Sequence, residues 1–217
     1  MKISKTITSF SIFLLISVLC IAQSKVNLAE QFQKENIVSV NRTISLYGDQ
    51  LEAIEMNAMN SDGLGILKNV AFTNGTINLE ILGENNPGKS FVGFAFNIQD
   101  NSTYEVVYFR PFNFVAKEQI RKEHMVQYIF HPEFTWRKLR EERTGEFESE
   151  IKNPPNPEAW IPAKIKISDK LVNVYLEGRS EPVLTVDRLS LPKSDKIGLW
   201  TGFGSSGRFR NLTFIKE

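Results

Sequence analysis

Short segments of alternating apolar and polar residues recur along most of the chain, and no other feature limits its fold so much. Ile77, Leu79 and Ile81 alternate with Asn78 and Glu80 between Gly75 and Gly83. A strand with one buried and one wet face has this period of two. Residues 51–56 and 125–130 read as further strands. Residues 91–98 are apolar on both faces and predict a central strand. Residues 104–112 are rich in aromatic and β-branched side chains, which suit a pleated surface. Residues 164–167, Leu171–Leu176 and 183–186 predict a meander with turns at Ser168-Asp169 and Glu177-Gly178. Residues 197–203 and 208–215 supply two closing strands. Helical patterning is confined to residues 117–122 and 136–143, and Asn153-Pro-Pro-Asn-Pro157 reads as a stiff loop. Strands at this spacing, with polar turns and no internal repeat, predict a single all-β domain, a sandwich or a barrel.

The first residues predict a compartment. Lys2 and Lys5 precede an apolar run, residues 12–19, that is too short to span a bilayer, and Ala22 offers a small residue for cleavage before Gln23. Residues 1–22 therefore read as a signal peptide and residues 23–217 as the mature β domain, secreted or periplasmic. Leu19 stands before Cys20 where lipoprotein processing requires a small residue. Cleavage removes the one cysteine, so thiol chemistry, disulfides and Cys/His zinc sites are not expected. The chain carries 26 basic and 25 acidic residues. That balance gives no surface-wide attraction for nucleic acid, although a local basic cleft remains open. No later segment is apolar enough to cross a membrane. No acidic loop has calcium-ligand spacing, and neither a metal nor another cofactor is expected.

Val172-Asn-Val-Tyr-Leu176, Pro182-Val-Leu184, the run Lys196-Ile-Gly-Leu-Trp-Thr-Gly-Phe-Gly-Ser-Ser-Gly207 and Phe209-Arg-Asn-Leu212 resemble the end of a concanavalin A-like domain. The group is the laminin-G and keto-disaccharide-hydrolase-like set of secreted bacterial proteins. Tyr108-Phe-Arg-Pro-Phe-Asn-Phe114, Val126-Gln-Tyr-Ile-Phe-His-Pro132 and Trp136-Arg-Lys-Leu-Arg140 are similar to one subgroup of it. The resemblance spans residues 72–214 and implies a jelly-roll β-sandwich of two antiparallel sheets, one of them concave, with sugar as the ligand. A fold of this kind hosts lectins, hydrolases and lyases alike. Its laminarinase-type glycosidases carry acids at alternate positions of one strand, which aims two carboxylates into one cleft. No Glu-x-Asp-x-Glu occurs here, and the consecutive Glu141 and Glu142 diverge.

Polar residues embedded in aromatic strands are the informative ones. Tyr104, Val106, Tyr108 and Arg110 share one strand face, with Val107 and Phe109 opposite. An arginine in such a strand must find water, an anion or a partner carboxylate. In the next strand Gln127, Ile129 and His131 share a side. Val126, Tyr128 and Phe130 take the core side, where the Tyr128 hydroxyl needs a partner. Trp200 reads as core, Trp160 as core or loop anchor, and His124 as part of a solvated face.

If these strands are neighbours, Tyr108, Arg110, Gln127 and His131 converge, with Trp136 as a wall on which a sugar can stack. That set lacks a carboxylate pair but suits β-elimination across a uronic acid. Arg110, with Asn113 or Gln127, neutralises the sugar carboxylate so that the C5 proton becomes acidic. His131 takes that proton as general base, and Tyr108 protonates the leaving oxygen. His131, Tyr108 and Arg110 are thus the candidate catalytic residues. Asn113, Gln127, Tyr128 and Trp136 are the candidate substrate-binding residues. The expected partner is an oligosaccharide or polysaccharide, and the expected function is a carbon–oxygen lyase or dehydratase. A non-catalytic sugar-binding protein is the alternative, as is a glycoside hydrolase that uses Glu133 with Glu142.

Overall fold

The computed structural model describes residues 23–49, 52–176 and 178–217. The expected signal peptide, Leu51 and Glu177 lie outside the described residues. Two antiparallel sheets pack face to face. One runs from edge to edge through Leu184–Asp187 (β13), Leu171–Leu176 (β12), Ile161–Ile167 (β11), Gly75–Leu82 (β6), Gly207–Lys216 (β15), Ala53–Met56 (β4) and Ile44–Tyr47 (β3). Ser24–Val26 (β1) also pairs with β15. The other sheet runs through Glu148–Ser149 (β10), Val126–His131 (β9), Tyr104–Phe109 (β8), Val92–Phe96 (β7), Lys196–Thr201 (β14), Gly63–Ala71 (β5) and Ile37–Val40 (β2). This is the β-sandwich that the strand pattern allows, of the jelly-roll kind that the resemblance implies.

Alternation builds the interior. In β6 the side chains of Ile77, Leu79 and Ile81 are buried while Thr76, Asn78 and Glu80 are half-exposed. The same parity buries Ala163 and Ile165 on β11 and Val172 and Val174 on β12. Each fully buried aliphatic side chain contributes roughly 1.5–3 kcal/mol. Strands β7 and β8 differ, being buried on both faces. One face joins the interior between the sheets, and the other lies under a cleft.

The helices are short: Leu28–Gln33 (α1), Gln119–Lys122 (α2) and Trp136–Glu142 (α3). Thr135 caps α3 by accepting from the Lys138 amide at 3.3 Å. Five strands escape the sequence reading, among them the short β1 and β10. Ile37–Val40 and Ile44–Tyr47 lie before the first expected strand, and Gly63–Ala71 carries two glycines and a Lys-Asn step that break the alternation. The strand expected over residues 104–112 ends at Phe109, because Pro111 opens a 3-10 turn, Pro111–Asn113. Arg110 therefore sits at the strand's exit rather than within it.

Candidate functional site

Strand register sets the floor of the site. Gln127, Tyr108, Gly93 and Trp200 stand opposite one another across β9, β8, β7 and β14. A Cβ on Gly93 would lie 2.2 Å from the Val107 carbonyl oxygen and 2.6 Å from Tyr108 Cβ. With no side chain there, the rings of Tyr108 and Trp200 approach to 5.0 Å. Trp200 is buried as expected, but it forms cleft floor rather than inter-sheet core. Along β8 and β9, Tyr104 faces His131, and the two rings stack at 5.3 Å with an interplanar angle of 18°.

A cleft of about 690 Å³ opens over this face. Phe91, Phe112, Phe203 and Trp136 give it apolar walls. Arg110, Arg121, Arg137 and Arg140 line it together with His124 and His131, against Asp62 as the sole carboxylate among the described lining residues. Of the residues singled out in the sequence, Tyr108, Arg110, Asn113, His131 and Trp136 line this cleft, whereas Gln127 and Tyr128 do not.

Gln127 lies just beneath the floor, and its partners change the reading of Tyr108 and Arg110. The Tyr108 hydroxyl donates to Gln127 Oε1 at 2.6 Å and accepts from Arg110 Nη2 at 2.7 Å. Arg110 Nη2 also donates to Gln127 Oε1, and Nη1 donates to the His124 carbonyl at 3.1 Å. Its guanidinium lies 4.9 Å from the Tyr108 ring centroid, and the residue is 5% exposed. Burial pushes the Tyr108 hydroxyl up to about 12. The proton that a general acid would deliver is thus directed inward, and the arginine fork that would grip a uronate is already engaged. Tyr108 and Arg110 line the cleft, but their polar atoms are turned to one another and to the buried Gln127, an arrangement that argues against a general acid and a uronate clamp.

The carboxylate that Arg110 finds is Glu148 on β10, 3.6 Å from Nη1. Arg140 grips Glu148 with two bonds, 3.0 Å from Nε and 2.7 Å from Nη2, and His124 Nδ1 lies 2.8 Å from it. His124 is therefore part of a half-buried charge cluster, not of a solvated face. Burial lowers its proton affinity, and the facing Glu148 raises it. Asn113 braces the same corner, donating to the His124 carbonyl at 3.0 Å and accepting from Arg121 Nε at 3.2 Å.

Tyr128 points the other way, into the space between the sheets. It is fully buried, stacks on Phe96 at 6.2 Å, donates its hydroxyl proton to Glu105 and accepts from the Leu189 amide at 3.0 Å. Strand alternation leaves it no access to the cleft, so it is not a substrate-binding residue. Glu133 and Glu142 are exposed and absent from the cleft lining, which removes the acid pair considered for a hydrolase.

His131 meets Asp62, a residue that nothing in the sequence flagged. Nε2 lies 3.7 Å from Asp62 Oδ2. Burial lowers the proton affinity of His131, opposed by the Asp62 charge. Trp136, at the exposed start of α3, carries the guanidinium groups of Arg137 and Arg140 at 5.4 and 5.2 Å from its ring. Among the described residues, no group of three or more His, Cys, Asp or Glu side chains is placed to hold a metal ion.

No family model matches the chain, and no curated sequence does so either. Solved structures do resemble it. The carbohydrate-binding module CBM66 from Bacillus subtilis overlays with a TM-score of 0.57 at 13% identity, over 82% of this chain and 95% of that one. A Bacillus subtilis protein of unknown function with a galectin-like fold gives 0.59 at 10% identity, over 89% and 96%. The exoplasmic/lumenal domain of VIP36, in a Ca²⁺- and Man3GlcNAc-bound form, gives 0.54 at 10% identity, over 84% and 86%. At such identities the likeness establishes the fold, a sandwich of the galectin and concanavalin A-like kind.

Proposed function

We propose that the protein is an exported carbohydrate-active protein whose cleft binds an acidic oligosaccharide. The observation that carries this reading is the lining itself, aromatic walls with four arginines against one carboxylate, although Arg110 and Arg140 share Glu148 just outside it. Aromatic faces suit the apolar faces of sugar rings, and arginines suit carboxylate or sulfate groups. Arg137 makes no ion pair among the described residues and is the cation most available to a ligand. The fold neighbours support a sugar as partner, since two of them are described by their carbohydrate ligands. The test is titration calorimetry with uronate-containing, sulfated and neutral oligosaccharides. Affinity for the acidic ones is expected to fall as salt rises. Preference for neutral sugars, with no salt dependence, overturns the reading. Trp136→Ala is expected to weaken binding about tenfold, equivalent to about 1.4 kcal/mol.

A second reading adds chemistry, favoured by His131 facing the cleft beside Asp62. Here His131 removes the C5 proton of a uronic acid. The electron pair forms the C4–C5 double bond, the C4–O bond breaks, and the leaving oxygen takes up a proton. Arg137 rather than Arg110 meets the sugar carboxylate. A rise in ultraviolet absorbance from the unsaturated uronate supports elimination. Binding without that rise leaves a lectin-like protein, and release of reducing ends without it points to hydrolysis.

A further inference from the structure

We infer that Asp62 is a positioning residue for His131, setting the orientation and proton affinity of the imidazole from the facing lip of the cleft. The catalytic part of this inference rests on the elimination reading; the electrostatic part stands without it. Asp62 ends the loop between β4 and β5. Its two carboxylate oxygens face different partners. Oδ1 accepts from the Phe203 amide at 3.0 Å, and Oδ2 lies 3.7 Å from His131 Nε2. Arg42 stiffens this lip. It donates to the carbonyls of Ser61 at 2.7 Å, Thr201 at 3.0 Å and Gly202 at 2.9 Å, and to Thr201 Oγ1 at 2.7 Å. It packs across Gly63, where a Cβ would lie 2.4 Å from Arg42 Cγ.

The lip is thus held by backbone partners, and the Asp62 charge is left for the cleft. On the other side the Tyr104 ring fixes the plane of the imidazole. The charged and titratable groups around His131 are Tyr104 on β8, Asp62 and, behind it, Arg42, with Arg137 of α3 lining the same cleft. The side chains of His131 and Asp62 are 21% and 32% exposed, so the pair is partly screened yet open to a ligand. A carboxylate at this distance favours the protonated imidazole against the burial that opposes it. Nε2 is the ring nitrogen turned toward the carboxylate, whose charge biases which way the ring faces.

The test uses Asp62→Asn, which retains an oxygen to accept the Phe203 amide and removes only the charge. The chain has two histidines, so the His131 resonance in the NMR spectrum is identified by its loss in His131→Asn. In Asp62→Asn the His131 pKa is expected to fall, and Asp62→Glu should restore part of the shift. If substrate turnover is found, the acid limb of kcat/KM should move to lower pH by the same amount. An unmoved His131 titration in Asp62→Asn overturns the inference, whatever the activity. A shifted titration with no unsaturated product leaves the Asp62–His131 coupling standing and removes only the elimination reading. Should Asp62→Asn fail to fold, the parent protein supplies the same readout. The Asp62 carboxyl carbon should show an inflection at the His131 pKa, and its absence overturns the coupling.

Discussion

Arg188→Met is expected to lower the unfolding free energy by about 3–5 kcal/mol, because it leaves a carboxylate buried without its counter-charge. Arg188 follows the last residue of β13, and its side chain is 1% exposed. Glu105, on the interior face of β8, is 0% exposed. The guanidinium reaches it with Nη2 at 3.0 Å and Nε at 3.1 Å from each oxygen, and its Nη1 donates to the Ser168 carbonyl at 3.1 Å. Glu105 also accepts from Asn97 Nδ2 at 2.6 Å and from the Tyr128 hydroxyl. Asn97 in turn accepts from the amides of Lys193 and Ser194 at 2.8 and 3.0 Å. One carboxylate therefore ties the connection from β13 to β14 onto β7, β8 and β9. Methionine keeps much of the arginine's volume, which isolates the charge. The double variant Glu105→Gln with Arg188→Met should be less destabilised than Arg188→Met alone, because it leaves no unpaired charge. Urea unfolding measures both. A loss below about 1 kcal/mol for Arg188→Met would place this pair in the range of exposed ion pairs and refute its role as a tie.

How far the site was legible depended on the distance in sequence over which each signal acts. Period-two alternation is local, so Ile77, Leu79 and Ile81 declared their face, and the parity of Tyr104 and Tyr108 placed both on the cleft side. Parity also put Tyr128 on the interior side, and its fully buried ring agrees. What parity cannot give is the partner. Glu148 stands in the run Glu146-Phe-Glu-Ser-Glu150, where its neighbours are equally acidic. It is buried only because β10 pairs it with Gln127, next to Tyr108. The requirement that Arg110 find an anion or carboxylate was legible. The 38 positions to Glu148 were not, since that contact is made by strand pairing rather than spacing. Asp62 escaped for a related reason. It belongs to a loop whose following strand, β5, is disguised by Gly63 and Gly65, and it reaches His131 only through the folding of that loop over the cleft.

His131→Ala is expected to lower kcat on a uronate oligosaccharide about 100- to 10,000-fold, the range typical of a lost general base. Affinity should stay within a few-fold, because a base interacts with the moving proton in the transition state and little with the bound ground state. Burial holds the imidazole below its ordinary range, so the neutral, proton-accepting form prevails at pH 7 and persists somewhat below it. Activity should decline on acidification only as pH passes through this lowered pKa. Tyr108→Phe supplies the contrast. The hydroxyl donates to Gln127 Oε1 and accepts from Arg110, so its removal should cost about 1–3 kcal/mol of stability, two net hydrogen bonds. Turnover should change by less than tenfold. A general acid at Tyr108 predicts the opposite, a large loss of kcat at unchanged stability. Thermal melts of both variants, run beside single-turnover kinetics, separate the two cases. Full activity in His131→Ala, in a protein that melts with the parent, removes proton abstraction by this residue and leaves the cleft as a binding site alone.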